Sequence, residues 1–206
     1  MAAEVVRELE ARLAPVVEKL ITMMGAARAA FNRHSRESLE EVRQQHQASV
    51  REIQALSGRI QAELPRQSAE GQSELARWGQ ILSHLEAIAG QTAGLEEPIR
   101  KKIKDGVLFS DKAVSQTNYL FDQHAGLIRS ILDIIKTDNE FLKKYVREEG
   151  TKLNQACLDF ATEHETRLIE GVCLPQAAPI FLGLLERMRA LSQREVEIAG
   201  LLAKKP

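Results

Sequence analysis

The chain has 206 residues, 44% of them hydrophobic and 28% charged but only 4% aromatic, a composition that suits long helices in one domain or in two small ones sharing a core. Its 28 basic and 29 acidic residues leave a net charge of -1, so no global field draws nucleic acid or an anionic membrane. Two cysteines, Cys157 and Cys173, exclude a disulfide framework and read as reduced thiols of a soluble cytoplasmic protein.

The N-terminal Met1-Ala2-Ala3-Glu4-Val5-Val6-Arg7 has neither the basic start nor the apolar run of a signal peptide. A first helix is predicted from about Glu4 to Asn32. Leu9, Leu13, Val16, Val17, Leu20, Met23, Met24, Ala27 and Phe31 recur there at helical spacing. Pro15, inside that run, predicts a start near it or a kink. Ser35 offers an N-cap for a second helix, whose stripe is Leu39, Val42, Val50, Ile53, Leu56, Ile60 and Leu64, ending at Pro65. Ser68 caps a third, with Leu75, Trp78, Leu82, Leu85, Ile88, Thr92, Leu95, Ile99 and Ile103 on one face. Pro98 should bend that helix or end it early, and Asp105-Gly106 stops it.

Ser110 opens the second half. Val114, Thr117, Leu120, Phe121, Leu127, Ile128, Ile131, Ile134 and Ile135 give the fourth helix a clean amphipathic pattern. Thr137-Asp138-Asn139-Glu140 has the spacing of a capping box for a fifth, which is expected to bury Phe141, Tyr145, Leu153, Cys157, Phe160 and Leu168 and to end near Glu170-Gly171. Pro175 suits the first turn of a sixth, running through Phe181, Leu185, Met188, Leu191 and Ile198 to Lys204-Lys205. The longest uncharged apolar segment, Pro179 to Leu185, is far short of a membrane span.

Six helices of about 25 to 35 residues, each roughly 40–50 Å long at 1.5 Å per residue, fall into two sets of three. An offset of about 100 aligns Leu20 with Leu120, Phe31 with Ile131 and Glu86 with Glu186, and a slightly shorter one aligns Glu52 with Glu149. The expected architecture is all-α: two pseudo-symmetric antiparallel three-helix bundles in one domain over residues 1–206, with internal repeats at about 4–106 and 107–204.

Catalytic signatures fail on spacing. No His follows a Glu by three residues, as carboxylate-bridged di-iron bundles require, and His164-Glu165-Thr166-Arg167-Leu168 lacks the second His of a zincin. There is no Cys-x-x-Cys and no glycine-rich phosphate loop, so the chain does not read as an enzyme. Glu149 falls close to the buried line of the fifth helix, where a carboxylate needs a partner, a proton or a metal. His46 and His164 read as semi-buried histidines, and Arg100-Lys101-Lys102, Lys104 and Lys143-Lys144 as solvated faces.

Two stretches carry a family resemblance. They are the junction from Lys101 through Asp105-Gly106-Val107-Leu108-Phe109-Ser110-Asp111 to Ala113, and the closing Gly171 to Arg187. Over nearly its whole length the chain resembles PhoU and the PhoU-like domains, including those at the cytoplasmic end of bacterial sodium/phosphate cotransporters. The resemblance implies the two-bundle fold and a non-catalytic regulatory role in phosphate transport or signalling. It also implies docking on a transporter's cytoplasmic face or a sensor kinase, and a cytoplasmic location beside the membrane; apart from the resemblance, a homodimer is left open as a further partner. The family's Glu-x-x-x-Asp motif, associated with iron or zinc clusters, falls on Glu86 and Glu186, with Glu149 and Glu52 as candidates for the second-helix acid. Its Asp is replaced by Gly90 and by Ala190, so no metal cofactor is expected. A helical scaffold unrelated to phosphate and a metal-binding helical protein are the competing readings.

Overall fold

Three serines begin three helices by the same device. Ser35, Ser68 and Ser110 each accept a hydrogen bond from the amide three residues on, at 3.1, 3.3 and 3.4 Å, satisfying a donor that the first turn leaves without an intrahelical partner. The computed structural model describes residues 2–204. Among them the helices are α1 (Ala2–Arg33), α2 (Arg36–Glu63), α3 (Ala69–Gly94), α4 (Glu96–Lys104), α5 (Asp111–Thr137), α6 (Glu140–Ile169) and α7 (Ala178–Ala203), with single 3-10 turns at Leu64–Arg66 and Pro175–Ala177. Met1 and Lys205 lie outside the described residues.

The sequence boundaries hold with four revisions. α1 neither starts at Pro15 nor stops there but runs through it from Ala2. The predicted third helix is two, α3 and α4, parted at Leu95. Pro98 has no N–H to give the Gly94 carbonyl and its ring crowds that carbonyl, so the ladder closes with a short Leu95-to-Thr92 bond and restarts from the Leu95 carbonyl. The expected capping box is displaced by two residues. Thr137 is the last residue of α5 and its hydroxyl donates to the Asp133 carbonyl at 2.6 Å. Asp138 turns the chain in the left-handed region at φ 51°, and Asn139 accepts from the Leu142 amide at 3.2 Å as the cap of α6. The sixth long helix opens with a 3-10 turn at Pro175 and becomes α-helical only at Ala178.

The buried face of α6 departs from the expected one in its first two turns only; Leu153 and Cys157 are buried as expected, and Phe160 and Leu168 are half-buried. Phe141 and Tyr145 are exposed, and Lys143, Val146, Gly150, Leu153, Cys157 and His164 face inward. Gly150 bears on this departure, because a Cβ there would lie 2.6 Å from Val196 Cγ2 and 3.4 Å from the Ser192 carbonyl. With Val196 opposite, a residue larger than glycine at position 150 would push against α7. In α2, Ser49 takes the inward position and Val50 is half-buried.

Helices α1, α2 and α3–α4 form one bundle and α5, α6 and α7 the other. They join where α1 packs on α5 and α3 on α7, so α2 and α6 lie outermost. α3 and α7 run antiparallel in a register that three contacts fix: His84 on Glu197 at 3.1 Å, Arg187 on Gln91 at 3.1 Å, and Pro98 against Gly183. The centre of that register falls near Gly90 and Leu191. A single apolar cluster runs through both bundles, and among the described residues no helix is long and apolar enough to cross a membrane.

Candidate functional site

The four glutamates singled out from the sequence lie on four different helices. Glu86 of α3 is half-buried and Glu186 of α7 exposed. The α3–α7 register sets Glu86 level with Glu195 and Glu186 level with Leu95, so the two are roughly 14 Å apart along the seam at 1.5 Å per residue. Glu52 is turned toward α1, where Lys19 Nζ donates to it at 2.9 Å. Glu149 is bonded to Lys152 on its own helix at 2.6 Å, and its neighbour Gly150 faces Ser192 and Val196 rather than Glu186.

These residues do not fit an iron or zinc cluster. Gly90 and Ala190 have no side-chain donor atoms, and among the described residues no group of three or more His, Cys, Asp or Glu is placed to hold a metal ion. Such ions need several charged donors together, and two of the four carboxylates here already neutralise lysines.

The structure instead concentrates its buried polar chemistry at places the sequence reading passed over. His124 of α5 and Glu195 of α7 are both fully buried in the second bundle, with Nδ1 at 3.0 Å from each carboxylate oxygen. This is the geometry of an N–H donating to both, and among the described residues Nε2 has no hydrogen-bond partner. The residues one hundred positions earlier, Met24 and Leu95, are both buried and apolar. The signal was present in the sequence: each polar residue interrupts a three-and-four stripe at a position that should be apolar.

His164 is buried with neither ring nitrogen hydrogen-bonded among the described residues, its ring 4.7 Å from that of Phe181. Burial, with Arg167 beside it, holds its pKa below the ordinary histidine value. Cys157 is buried and its thiol is pushed up to about 12, chiefly by burial, which leaves no thiolate for nucleophilic work at neutral pH.

Two lysines expected on solvated faces are buried. Lys102 donates to the Phe31 carbonyl at 3.2 Å and to His34 Nε2, with its ammonium 4.9 Å from the centre of the Phe31 ring. Burial lowers its pKa. Lys143 binds Asp138 and, at 2.8 Å, Glu140. Burial works against its charge there, and the two carboxylates outweigh it and raise its pKa. Each lysine ties one helix to a chain reversal: Lys102 holds the α1–α2 corner against α4, and Lys143 closes the α5–α6 corner.

By sequence, no family model matches the chain and no curated protein matches it. By structure, it superposes on the crystal structure of the phosphate transport system regulatory protein PhoU from Streptococcus pneumoniae with a TM-score of 0.85 and 12% identity, covering 98% of this chain and 95% of that one. PhoU from Pseudomonas aeruginosa matches with a TM-score of 0.84 and 13% identity, over 98% and 97% of the two chains. The fold is PhoU-like.

Proposed function

We propose that this PhoU-like chain is a non-catalytic regulatory domain of phosphate transport or phosphate signalling, acting by docking on a partner. The observation that carries the reading is the likeness to PhoU over nearly the full length of both chains. The partner we favour is the cytoplasmic face of a phosphate transporter, including a sodium/phosphate cotransporter, with a sensor kinase as the alternative. The halves at about 4–106 and 107–204 are read as internal repeats of one domain, supported by the antiparallel α3–α7 seam.

Removal of the coding sequence, followed by measurement of phosphate uptake and of a phosphate-starvation reporter, tests the role. Deregulated uptake that returns on complementation is the expected result. Unchanged uptake and reporter would overturn the reading in favour of a scaffold unrelated to phosphate. Elemental analysis of untagged protein tests the metal-binding alternative. Stoichiometric iron or zinc that is lost in Glu86→Gln or Glu186→Gln would establish it.

A further inference from the structure

The α4–α5 junction is a marked stretch of the sequence, yet the role proposed above does not use it. It lies at the end of the molecule where α1, α4 and α6 finish and α2, α5 and α7 begin. Val107 and Phe109 turn inward onto Ala177 and Ile180, while Leu108 between them is 68% exposed. The α6–α7 connection beside it behaves alike, with Val172 60% and Leu174 51% exposed, and Ile169 at the end of α6 is 83% exposed. Cys173 Sγ lies 3.6 Å from Ser110 Oγ, so the two connections are neighbours. Large apolar side chains gathered at one place in this way mark a contact site, whereas single ones do not.

At the same end a groove of about 410 Å³ opens between the start of α2 and α4, lined by Leu39 and Ile103 and walled by Arg36, Arg43, Arg100 and Lys104 with Glu40. Arg43 is held by Glu96 and Glu40, and Arg100 stands 3.7 Å from Glu96. Neither Arg36, which interacts through space with the neighbouring Glu37 carboxylate, nor Lys104 makes an ion pair closer than 4 Å among the described residues. Arg36 is also the first residue of α2, where the helix dipole adds to its positive potential.

From these observations we infer that this end is a docking surface for an acidic amphipathic segment of a partner protein. Its apolar side rests on Leu108, Val172 and Leu174, and its carboxylates enter the groove toward Arg36 and Lys104. A bilayer is the poorer occupant: its anionic headgroups would cover the whole end, including the exposed Asp105, Asp111 and Glu170, whereas a single segment can turn its apolar side to those loops and only its carboxylates to the groove. The inference rests on the reading of the chain as an interaction domain but not on its connection with phosphate.

The test titrates the full chain with a fluorescent helical peptide of leucine and glutamate, leucines on one face, at low and physiological ionic strength. The same peptide with lysine for glutamate and vesicles containing phosphatidylglycerol are run alongside. The glutamate peptide should bind and should weaken with salt. Arg36→Glu with Lys104→Glu should cost about tenfold or more in affinity, and Leu108→Ser with Leu174→Ser a similar factor. Phe141→Ser, an exposed apolar position at the opposite end, should bind as the parent does. All these side chains reach the surface, so circular dichroism should be unchanged. Absent or salt-independent binding of the glutamate peptide, equal binding of the lysine peptide, preference for vesicles, or equal loss in Phe141→Ser overturns the inference. So does a solution dimer that Leu108→Ser dissolves, since the occupant is then a second copy. No peptide binding together with a clear uptake phenotype on deletion would sink this surface and leave the regulatory role standing.

Discussion

His124 and Glu195 bury two ionisable groups, whereas Met24 and Leu95, one hundred positions earlier, are buried and apolar, and that contrast defines a test at the level of single residues. Removing one partner leaves the other desolvated and unpaired, so Glu195→Ala is expected to cost about 3–5 kcal/mol. His124→Met with Glu195→Leu, which puts those apolar residue types in place of the pair, should keep or raise stability. Urea unfolding of the single and double variants decides it. His84 and His164 contribute to the pH response at mildly acidic pH. Burial lowers both pKa values, against the pull of Glu197 in the first case and with help from Arg167 in the second. A base whose pKa drops on folding binds protons more readily when unfolded, so stability rises with pH across that window. It is complete above the ordinary histidine value of about 6.5 and declines as the pH falls through and below it. His164→Phe should flatten this decline in a series of thermal melts across mildly acidic pH. It should also remove two buried nitrogens, unbonded among the described residues, beside Phe181.

Among the helices, the α5–α6 reversal separates the sequence expectation from the structure. Asn139→Ala should destabilise by about 1 kcal/mol because its side chain caps α6, whereas Thr137→Ala should be within about 0.5 kcal/mol of the parent. Gly150→Ala gains about 1 kcal/mol of helix propensity, but the new Cβ meets the stiff, β-branched Val196 at 2.6 Å. The net is expected to be a loss of about 1–2 kcal/mol that Val196→Ala relieves, a coupling that chemical denaturation of the double-mutant cycle reads directly. These two sites also show what the residues disclosed and what they withheld. Serine caps, the Pro98 break and the apolar stripes of α1, α3, α5 and α7 are local signals, and each was legible. The face that α6 buries in its first turns was not. Phe141 and Tyr145 lead to Leu153 at helical spacing as regularly as Val146 does, and the choice between them in the first turns depends on how close α7 comes at Gly150. For the candidate site, the spacing Glu86–Gly90 and Glu186–Ala190 shows the missing donors, while the ion pair of Glu52 with Lys19 belongs to another helix and lies beyond any local pattern.

At the scale of the molecule, one apolar cluster spans both bundles, with α1 on α5 and α3 on α7 as the shared layer. Neither half therefore has a complete apolar surface of its own, and the two should unfold together. Trp78, the only tryptophan, sits buried in the first bundle. Its fluorescence should trace the same denaturation curve as the far-ultraviolet circular dichroism of the whole chain, and separated midpoints would mean that the bundles melt independently.

The three rings at the docking end have a mechanical meaning. Phe109 stands edge-on to Phe31 of α1 at 5.5 Å and to Phe181 of α7 at 5.9 Å, with the Lys102 ammonium close by. It is thus wedged between the two halves one residue away from Leu108. A load applied to Leu108 by a bound partner is handed to both halves at once through rigid aromatic contacts, with no slack linker to absorb it. Such a loop acts as a handle on the rigid body, so a partner that grips it moves the whole molecule.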